Sequence, residues 1–274
     1  MIQGIIEMMS YPFMTRAFLV GSLVALCSAL LGVSLVLKRY SMIGDGLSHV
    51  GFGAMAIAAA MNAAPLAVAI PIVIVAAVLL LRINSNAKIK GDAAIALIST
   101  SSLAIGVMVI SLTTGMNTDV YNYMFGSILA MSSDDLKLSV ILSVIVLILF
   151  IFFYHKIFAI TFDETFARAT GVKAGIYNTL IAVLTAVTIV LGMRMMGALL
   201  ISSLIIFPAL TSMRVCRTFK SVILNSAVLS VVCLIAGLTI SYVGATPAGA
   251  SVVLANLAAL IVNSCIGMIR NRAR

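Results

Sequence analysis

The sequence predicts an all-α membrane protein, a bundle of helices that crosses a lipid bilayer many times. Hydrophobic residues make up 63% of the chain and charged residues only 9%, whereas soluble domains carry about 25% charged residues. Residues 221–269 contain no Asp, Glu, Lys, Arg or His over 49 positions. One helical span needs about 20 apolar residues, so this stretch is long enough for two. No segment alternates with the period of a transmembrane β-barrel strand.

Uncharged runs and loop signals predict nine spans, or eight if one of them is a broken helix. In chain order the spans lie near residues 17–37, 43–62, 64–81, 93–114, 137–154, 175–192, 195–213, 221–240 and 247–269. The segment 175–192 is short for a span, which keeps the alternative of eight open. We expect residues 1–274 to form a single transmembrane domain with no soluble domain attached.

The distribution of basic residues predicts the orientation of the chain. Five segments expected on one side of the membrane hold 14 of the 17 Lys and Arg residues: 38–41, 82–92, 155–173, 214–220 and 270–274. Cytoplasmic loops carry such an excess, so these segments and the C-terminus are predicted to be cytoplasmic. Because the basic residues lie in short loops between spans, the net charge of +9 reflects membrane topology and predicts no nucleic-acid partner.

Two ionisable side chains, Asp45 and His49, fall within the second predicted span. On a helix, residues four apart differ by about 40° in direction and about 6 Å in height, so both project from one face. An acid inside the bilayer costs about 2.5–3.5 kcal/mol on insertion scales, and such residues commonly mark ion routes. Two interpretations are equally open from the spacing. Either Asp45 caps the helix and His49 bonds a neighbouring carbonyl, or both are ligands for zinc, manganese or iron.

The number of ligands predicts that two copies of the chain act together. Asp45 and His49 are too few ligands for a tight metal site. Two copies related by a two-fold axis would supply two carboxylates and two imidazoles, and dimers of this symmetry are the commonest assembly. We therefore expect a homodimer with an ion path at its axis.

The segment 161–173, "TFDETFARATGVK", predicts a short cytoplasmic helix. Asp163 and Glu164 suit its N-terminus, Arg168 stands four residues after Glu164, and Gly171 fits its C-cap. The residues alone favour an ordinary surface helix over a docking element for a partner protein.

Several motifs are absent from the sequence. No G-x-x-x-x-G-K-[ST] phosphate-binding loop occurs, so the chain by itself is not a P-loop ATPase. The four cysteines stand singly and form no CxxC pair, which indicates neither a zinc knuckle nor a redox site. We expect the protein to move a solute across the membrane and not to be an enzyme itself.

Four segments in order along the chain resemble a known family. They are "LVLKRYSMIGDGLSHVGFGAMAI" at 35–57, "NYMFGSIL" at 122–129, "FDETFARATGV" at 162–172 and "MGALLISSLIIFPALTSM" at 196–213. They are similar to motifs of the ABC-3 family, the permeases of ATP-binding-cassette (ABC) importers for zinc, manganese and iron. Position 46 departs from the family, which commonly has alanine where this chain has Gly46.

The resemblance implies a homodimeric permease that works with a cytoplasmic ATPase dimer and an extracytoplasmic metal-binding lipoprotein. It implies that Asp45 and His49 are metal ligands on the translocation path. It also favours docking of the segment 155–175, with Asp163, Glu164, Arg168 and Gly171, onto the ATPase.

The resemblance further implies a location in the bacterial inner membrane, surrounded by lipid. The permease would bind no covalent cofactor, and its partner subunit would use the ATP. Zinc is the first choice of cargo, with manganese and iron next. The alternative function is an ion-coupled secondary metal transporter that acts without an ATPase.

Overall fold

The computed structural model describes residues 10–86, 91–113 and 132–272, and the regular structure within these ranges is α-helical. Eleven helices lie in the described ranges: α1 Pro12–Leu37, α2 Ile43–Ala60, α3 Pro65–Asn86, α4 Gly91–Thr113, α5 Ser133–Phe152, α6 Tyr154–Phe162, α7 Glu164–Ala169, α8 Ala174–Met196, α9 Ala198–Val215, α10 Phe219–Gly244 and α11 Ala248–Arg272.

Nine of the helices in the described ranges are long and apolar enough to cross a membrane, and α6 and α7 are the two short ones. The predicted all-α membrane fold is confirmed. The segment predicted as the short span 175–192 is part of α8, a helix of 23 residues. It looked short because Arg194 marked its end in the sequence, whereas Arg194 lies in the last turn of the helix.

Helices α1, α2, α8 and α9 form the centre of the bundle. Helix α1 packs against α5, α8, α9 and α10, and α2 packs against α3, α4, α8 and α9. Helices α4, α5 and α11 lie at the periphery and expose many large apolar side chains. Such side chains suit contact with lipid tails, because lipid is as apolar as they are. The central helix α2 therefore lies between four neighbours.

Close approach of α2 and α4 depends on two glycines. A Cβ atom on Gly53 would lie 2.7 Å from the carbonyl oxygen of Ser102, and one on Gly106 would lie 2.7 Å from the ring of Phe52. Small residues allow membrane helices to approach until their backbones touch. This contact holds α2 in place along one side.

The predicted short helix between the fifth and sixth spans is confirmed as α7. The side chain of Asp163 accepts a hydrogen bond of 2.9 Å from the backbone N–H of Phe166 and so caps the N-terminus. Gly171 has a φ of 84°, and the N–H groups of Gly171 and Val172 donate bonds of 3.0 Å to carbonyls in α7. This pair of bonds is a Schellman motif, which glycine allows because it adopts positive φ freely.

Candidate functional site

Over most of its length, helix α2 has only two accessible side chains. Between Ile43 and Ala56, every residue except Asp45 and His49 is buried. The side chains of Asp45 and His49 are 46% and 23% exposed. Four packed neighbours explain the burial of the other residues. Within this stretch, the two polar side chains are therefore the part of α2 that the bundle leaves accessible.

Asp45 and His49 lie on one face of α2, as their spacing predicts. The distance from His49 Nε2 to Asp45 Oδ2 is 3.8 Å, which is too long for a hydrogen bond. Within the described ranges, no group of three or more His, Cys, Asp and Glu side chains is close enough to hold a metal ion. One chain therefore brings two such side chains to this place, the Asp45–His49 pair.

The capping interpretation of Asp45 does not fit the geometry. The N-cap residue of α2 is Met42, and no side chain caps this helix by a hydrogen bond. Asp45 lies in the first turn, where its charge is favourable to the helix dipole, but its carboxylate accepts no capping hydrogen bond from the backbone. The His49 ring makes no hydrogen bond to a carbonyl in the part of the chain that the structure describes.

Helix α9 contributes a hydroxyl group that the sequence analysis did not single out. Ser202 Oγ lies 3.4 Å from Asp45 Oδ1 and 3.3 Å from the carbonyl oxygen of Ala198. Both distances are long for a hydroxyl donor, so the hydroxyl is shared between two weak acceptors. Ser202 lies within residues 196–213, one of the four segments that resemble the ABC-3 family. That resemblance is the signal that could have indicated Ser202.

A strip of apolar side chains on α9 continues the accessible surface. Leu199, Ile206 and Leu210 are not fully buried, and they lie on the same side of α9 as Ser202 by their spacing of three or four residues. The contact between Ser202 and Asp45 places this side of α9 next to the Asp45–His49 pair of α2. We call the pair and this strip together the open face.

Gly46 has a local reason to be glycine. A Cβ atom at this position would lie 2.6 Å from Cγ2 of Ile95 on α4. Alanine, the residue common in the resembled family, would require the Ile95 side chain to shift. The difference therefore lies in the contact between α2 and α4.

A second polar cluster lies where α7 meets the ends of α1 and α8. Lys38 Nζ lies 2.5 Å from Asn178 Oδ1, 3.3 Å from the carbonyl oxygen of Ile160 and 3.4 Å from Glu164 Oε2. Asn178 Nδ2 donates to the same Glu164 oxygen at 3.0 Å, and Arg168 donates to Glu164 Oε1 at 2.6 Å. The Glu164–Arg168 contact is the predicted one. We call Lys38, Glu164, Arg168 and Asn178 the polar node.

The charges of the polar node shift each other's proton affinity. Burial lowers the pKa of the Lys38 ammonium, and the nearby Glu164 carboxylate opposes this shift without cancelling it. Burial alone would raise the pKa of Glu164. Hydrogen bonds from Asn178 and Arg168, together with the charge of Lys38, outweigh burial and hold that pKa below its usual range.

An ion pair joins two helices at the opposite end of the bundle. The guanidinium of Arg194, in the last turn of α8, lies 3.7 Å from Asp135 Oδ2 in the first turn of α5. Their side chains are only 16% and 17% exposed. Asp135 also takes part in a capping box with Ser132. The pair connects the ends of α5 and α8 on the side opposite to the node.

Comparison with known proteins gives a consistent result over nearly the whole chain. The model of the ABC 3 transport family matches residues 10–267. The zinc uptake membrane protein ZnuB of Haemophilus influenzae is 31% identical over 89% of this chain and 94% of its own length. The manganese import permease ScaB of Streptococcus gordonii is 28% identical, with 96% of this chain and 95% of its own length covered.

A solved structure shares the fold. PsaBC of Streptococcus pneumoniae, determined in complex with Fab, matches with a TM-score of 0.86 and 28% identity, covering 96% of this chain and 95% of the solved chain. Of the four sequence motifs, residues 122–129 lie outside the described residues. The other three lie on the α1–α2 connection, on α7 and on α9.

Proposed function

The chain belongs to the ABC 3 transport family, and we propose that it imports divalent transition-metal ions as the membrane-spanning subunit of an ABC transporter. The observation that carries this proposal is the accessibility of α2 at Asp45 and His49, between residues that are otherwise buried. Carboxylate oxygen and imidazole nitrogen together suit zinc, manganese and iron. The printed names of the relatives, a zinc uptake protein and a manganese import permease, support a metal cargo.

Zinc is our first choice of cargo, followed by manganese and iron. Two carboxylates and two imidazoles match the four-ligand tetrahedral geometry that zinc prefers. Manganese and iron accept the same ligands with water molecules added.

We propose that two copies of the chain meet at the open face. The Asp45–His49 pairs of both copies would then face each other across a two-fold axis. Leu199, Ile206 and Leu210 on α9 would pack around the axis and keep it apart from lipid. This arrangement gives four ligands on the ion path, where one chain supplies two.

Energy would come from a cytoplasmic ATPase dimer that docks on α7. This helix is held in a defined position by the cap at Asp163, the Glu164–Arg168 pair and the turn at Gly171. On the other side, an extracytoplasmic binding lipoprotein would deliver the metal. The protein would lie in the bacterial inner membrane with the node and the C-terminus in the cytoplasm, in agreement with the distribution of its basic residues.

Transport requires at least two packings of the dimer, one open to each side. Each packing must satisfy the buried polar groups, because an unpaired polar group in the bilayer is costly. ATP binding and hydrolysis would favour one packing over the other through α7.

Reconstitution of the full chain into proteoliposomes, with and without the ATPase subunit, tests this function. We expect accumulation of radioactive zinc, manganese or iron when the ATPase subunit, ATP and the binding lipoprotein are all present, and none when the ATPase is left out. Uptake by the chain alone would instead support a secondary transporter. Failure to move any of the three metals in the complete system would refute the proposal.

A further inference from the structure

Lys38 has every donor of its side chain engaged. An ammonium group has three N–H donors, and Lys38 Nζ has three acceptors within 3.4 Å, one each from α6, α7 and α8. Its side chain is only 10% exposed. Lys38 itself follows the last residue of α1. One side chain therefore connects four helices at the cytoplasmic end of the bundle.

The connection from Lys38 to α2 is short and hydrogen-bonded at both ends. The N–H groups of Arg39 and Tyr40 donate to carbonyls in the last turn of α1 at 3.1 and 2.8 Å, and the Tyr40 carbonyl accepts from the Ile43 N–H at 3.0 Å. Arg39 takes a φ of 62°, the left-handed residue of a Schellman motif. Asp45 lies seven residues after Lys38. A short, hydrogen-bonded turn therefore joins Lys38 to α2.

Stability alone does not account for the burial of Lys38. Taking an ammonium out of water is costly, and buried ion pairs are often no more stabilising than apolar residues of the same size. Burial lowers the pKa of Lys38 despite the carboxylate beside it, which shows that the node does not fully offset this cost. A cleft beside the node, lined among others by Tyr40, Arg82 and Thr179, leaves α7 space in which to move.

We propose that Lys38 is the positioning residue that links α7 to α2, so that displacement of α7 by a docked ATPase moves the Asp45–His49 pair. This inference rests on the proposed function, since it assumes that α7 receives the ATPase. The link consists of the contacts made by the Lys38 ammonium group. These contacts would form or break together when α7 shifts. Such a contact can hold two discrete arrangements of the helices, which coupling between distant sites requires.

The test compares two adjacent cations in the same turn. Lys38→Met removes the ammonium and keeps most of the stem, and Arg39→Met removes a charge from an exposed side chain that forms no ion pair within the described ranges. Both variants lose one positive charge from the same cytoplasmic loop, so effects on membrane orientation are matched. The measurement is the amount of radioactive zinc taken up per ATP hydrolysed, in proteoliposomes that contain the full transporter.

We expect Lys38→Met to lower zinc uptake per ATP by about fivefold or more, a size typical of lost coupling contacts. ATP hydrolysis and the zinc bound to the full chain at equilibrium should stay within twofold of the wild type. Arg39→Met should keep the wild-type zinc uptake per ATP. Lys38→Arg, which retains the charge, should reach at least half of the wild-type zinc uptake per ATP.

Glu164→Gln provides a second variant if Lys38→Met does not fold. It removes the carboxylate charge from the same contact and should also lower zinc uptake per ATP, with zinc binding retained. Equal zinc uptake per ATP in wild type and Lys38→Met would overturn the inference. So would a loss of zinc uptake per ATP in Arg39→Met as large as that in Lys38→Met. Failure of the wild type itself to move zinc, manganese or iron would refute the proposed function instead, so the two outcomes are distinguishable.

Discussion

The two polar clusters of this protein differ in how completely their members are bonded. At the Asp45–His49 pair, the nearest side-chain contacts of the carboxylate are 3.4 and 3.8 Å long. At the polar node, Glu164 accepts bonds of 2.6 and 3.0 Å on its two oxygens. Both clusters contain a carboxylate and a cationic or ionisable nitrogen, yet only in the node is the carboxylate closely bonded on both oxygens.

This difference indicates two different roles. Loosely held oxygen and nitrogen atoms keep lone pairs available, and a passing cation needs such ligands. A carboxylate that is closely bonded on both oxygens has fewer lone pairs to offer a cargo, but it fixes the relative positions of the helices that meet at it. In our proposal the same residue types serve binding in one place and mechanical connection in the other.

Removing either member of the Asp45–His49 pair should produce the largest effect. Asp45→Ala or His49→Ala would delete a ligand of the proposed metal path, so metal uptake should fall by more than about 100-fold, since even groups behind the ligands contribute 10–100-fold. The measurement is uptake of radioactive zinc by proteoliposomes with the complete transporter.

Ser48→Ala is the matched control, because Ser48 is buried on another face of α2 and donates to the Asp45 backbone carbonyl at 2.7 Å. It should keep uptake within a few-fold of the wild type. If Asp45→Ala or His49→Ala transports metal at the wild-type rate, the weaker bonding of the Asp45–His49 pair compared with the polar node has no functional meaning.

The smallest expected effect is the pH dependence of stability at the node. The folded pKa of Glu164 lies below its ordinary value of 4.5. A carboxyl group shifted in this direction stabilises the folded state above its unfolded pKa, and the contribution disappears as the pH falls through the folded pKa. Partly exposed ion pairs contribute about 1 kcal/mol or less, which corresponds to about 2–4 °C in melting temperature.

The measurement compares the melting temperatures of wild type and Glu164→Gln in detergent from pH 7 downwards. We expect the wild type to be more stable at neutral pH, with a difference that begins to shrink near the ordinary glutamate pKa and vanishes below the lower folded pKa. Asp134→Asn, at a side chain that is 94% exposed, controls for the loss of one negative charge. A difference that grows on acidification would show that the node does not hold Glu164 in its ionised form.

The sequence predicts features that arise within one helix. Uncharged runs predict the spans, because the bilayer sets their length. The spacing of four predicts the common face of Asp45 and His49 and the Glu164–Arg168 pair. The cap residues Asp163 and Gly171 predict both ends of α7. In each of these cases the interacting residues are close in the chain, so the helical period determines their distance.

Contacts between distant parts of the chain were not predictable in this way. Lys38 and Asn178 are separated by 140 residues, and a basic residue in a loop is usually solvated. Ser202 and Asp45 are separated by 157 residues. The choice of neighbouring helices depends on packing contacts, such as the close approach at Gly53. Hydropathy along the chain does not predict these contacts.

The most direct test of the central claim is the amount of zinc that the full chain binds. Equilibrium dialysis against Zn²⁺ in detergent, followed by elemental analysis, gives the number of ions per chain. Our account predicts about one zinc ion per two chains, with the binding lost in both Asp45→Ala and His49→Ala. One ion per chain, or binding that survives in these variants, would contradict a metal path formed by the paired open faces of two copies.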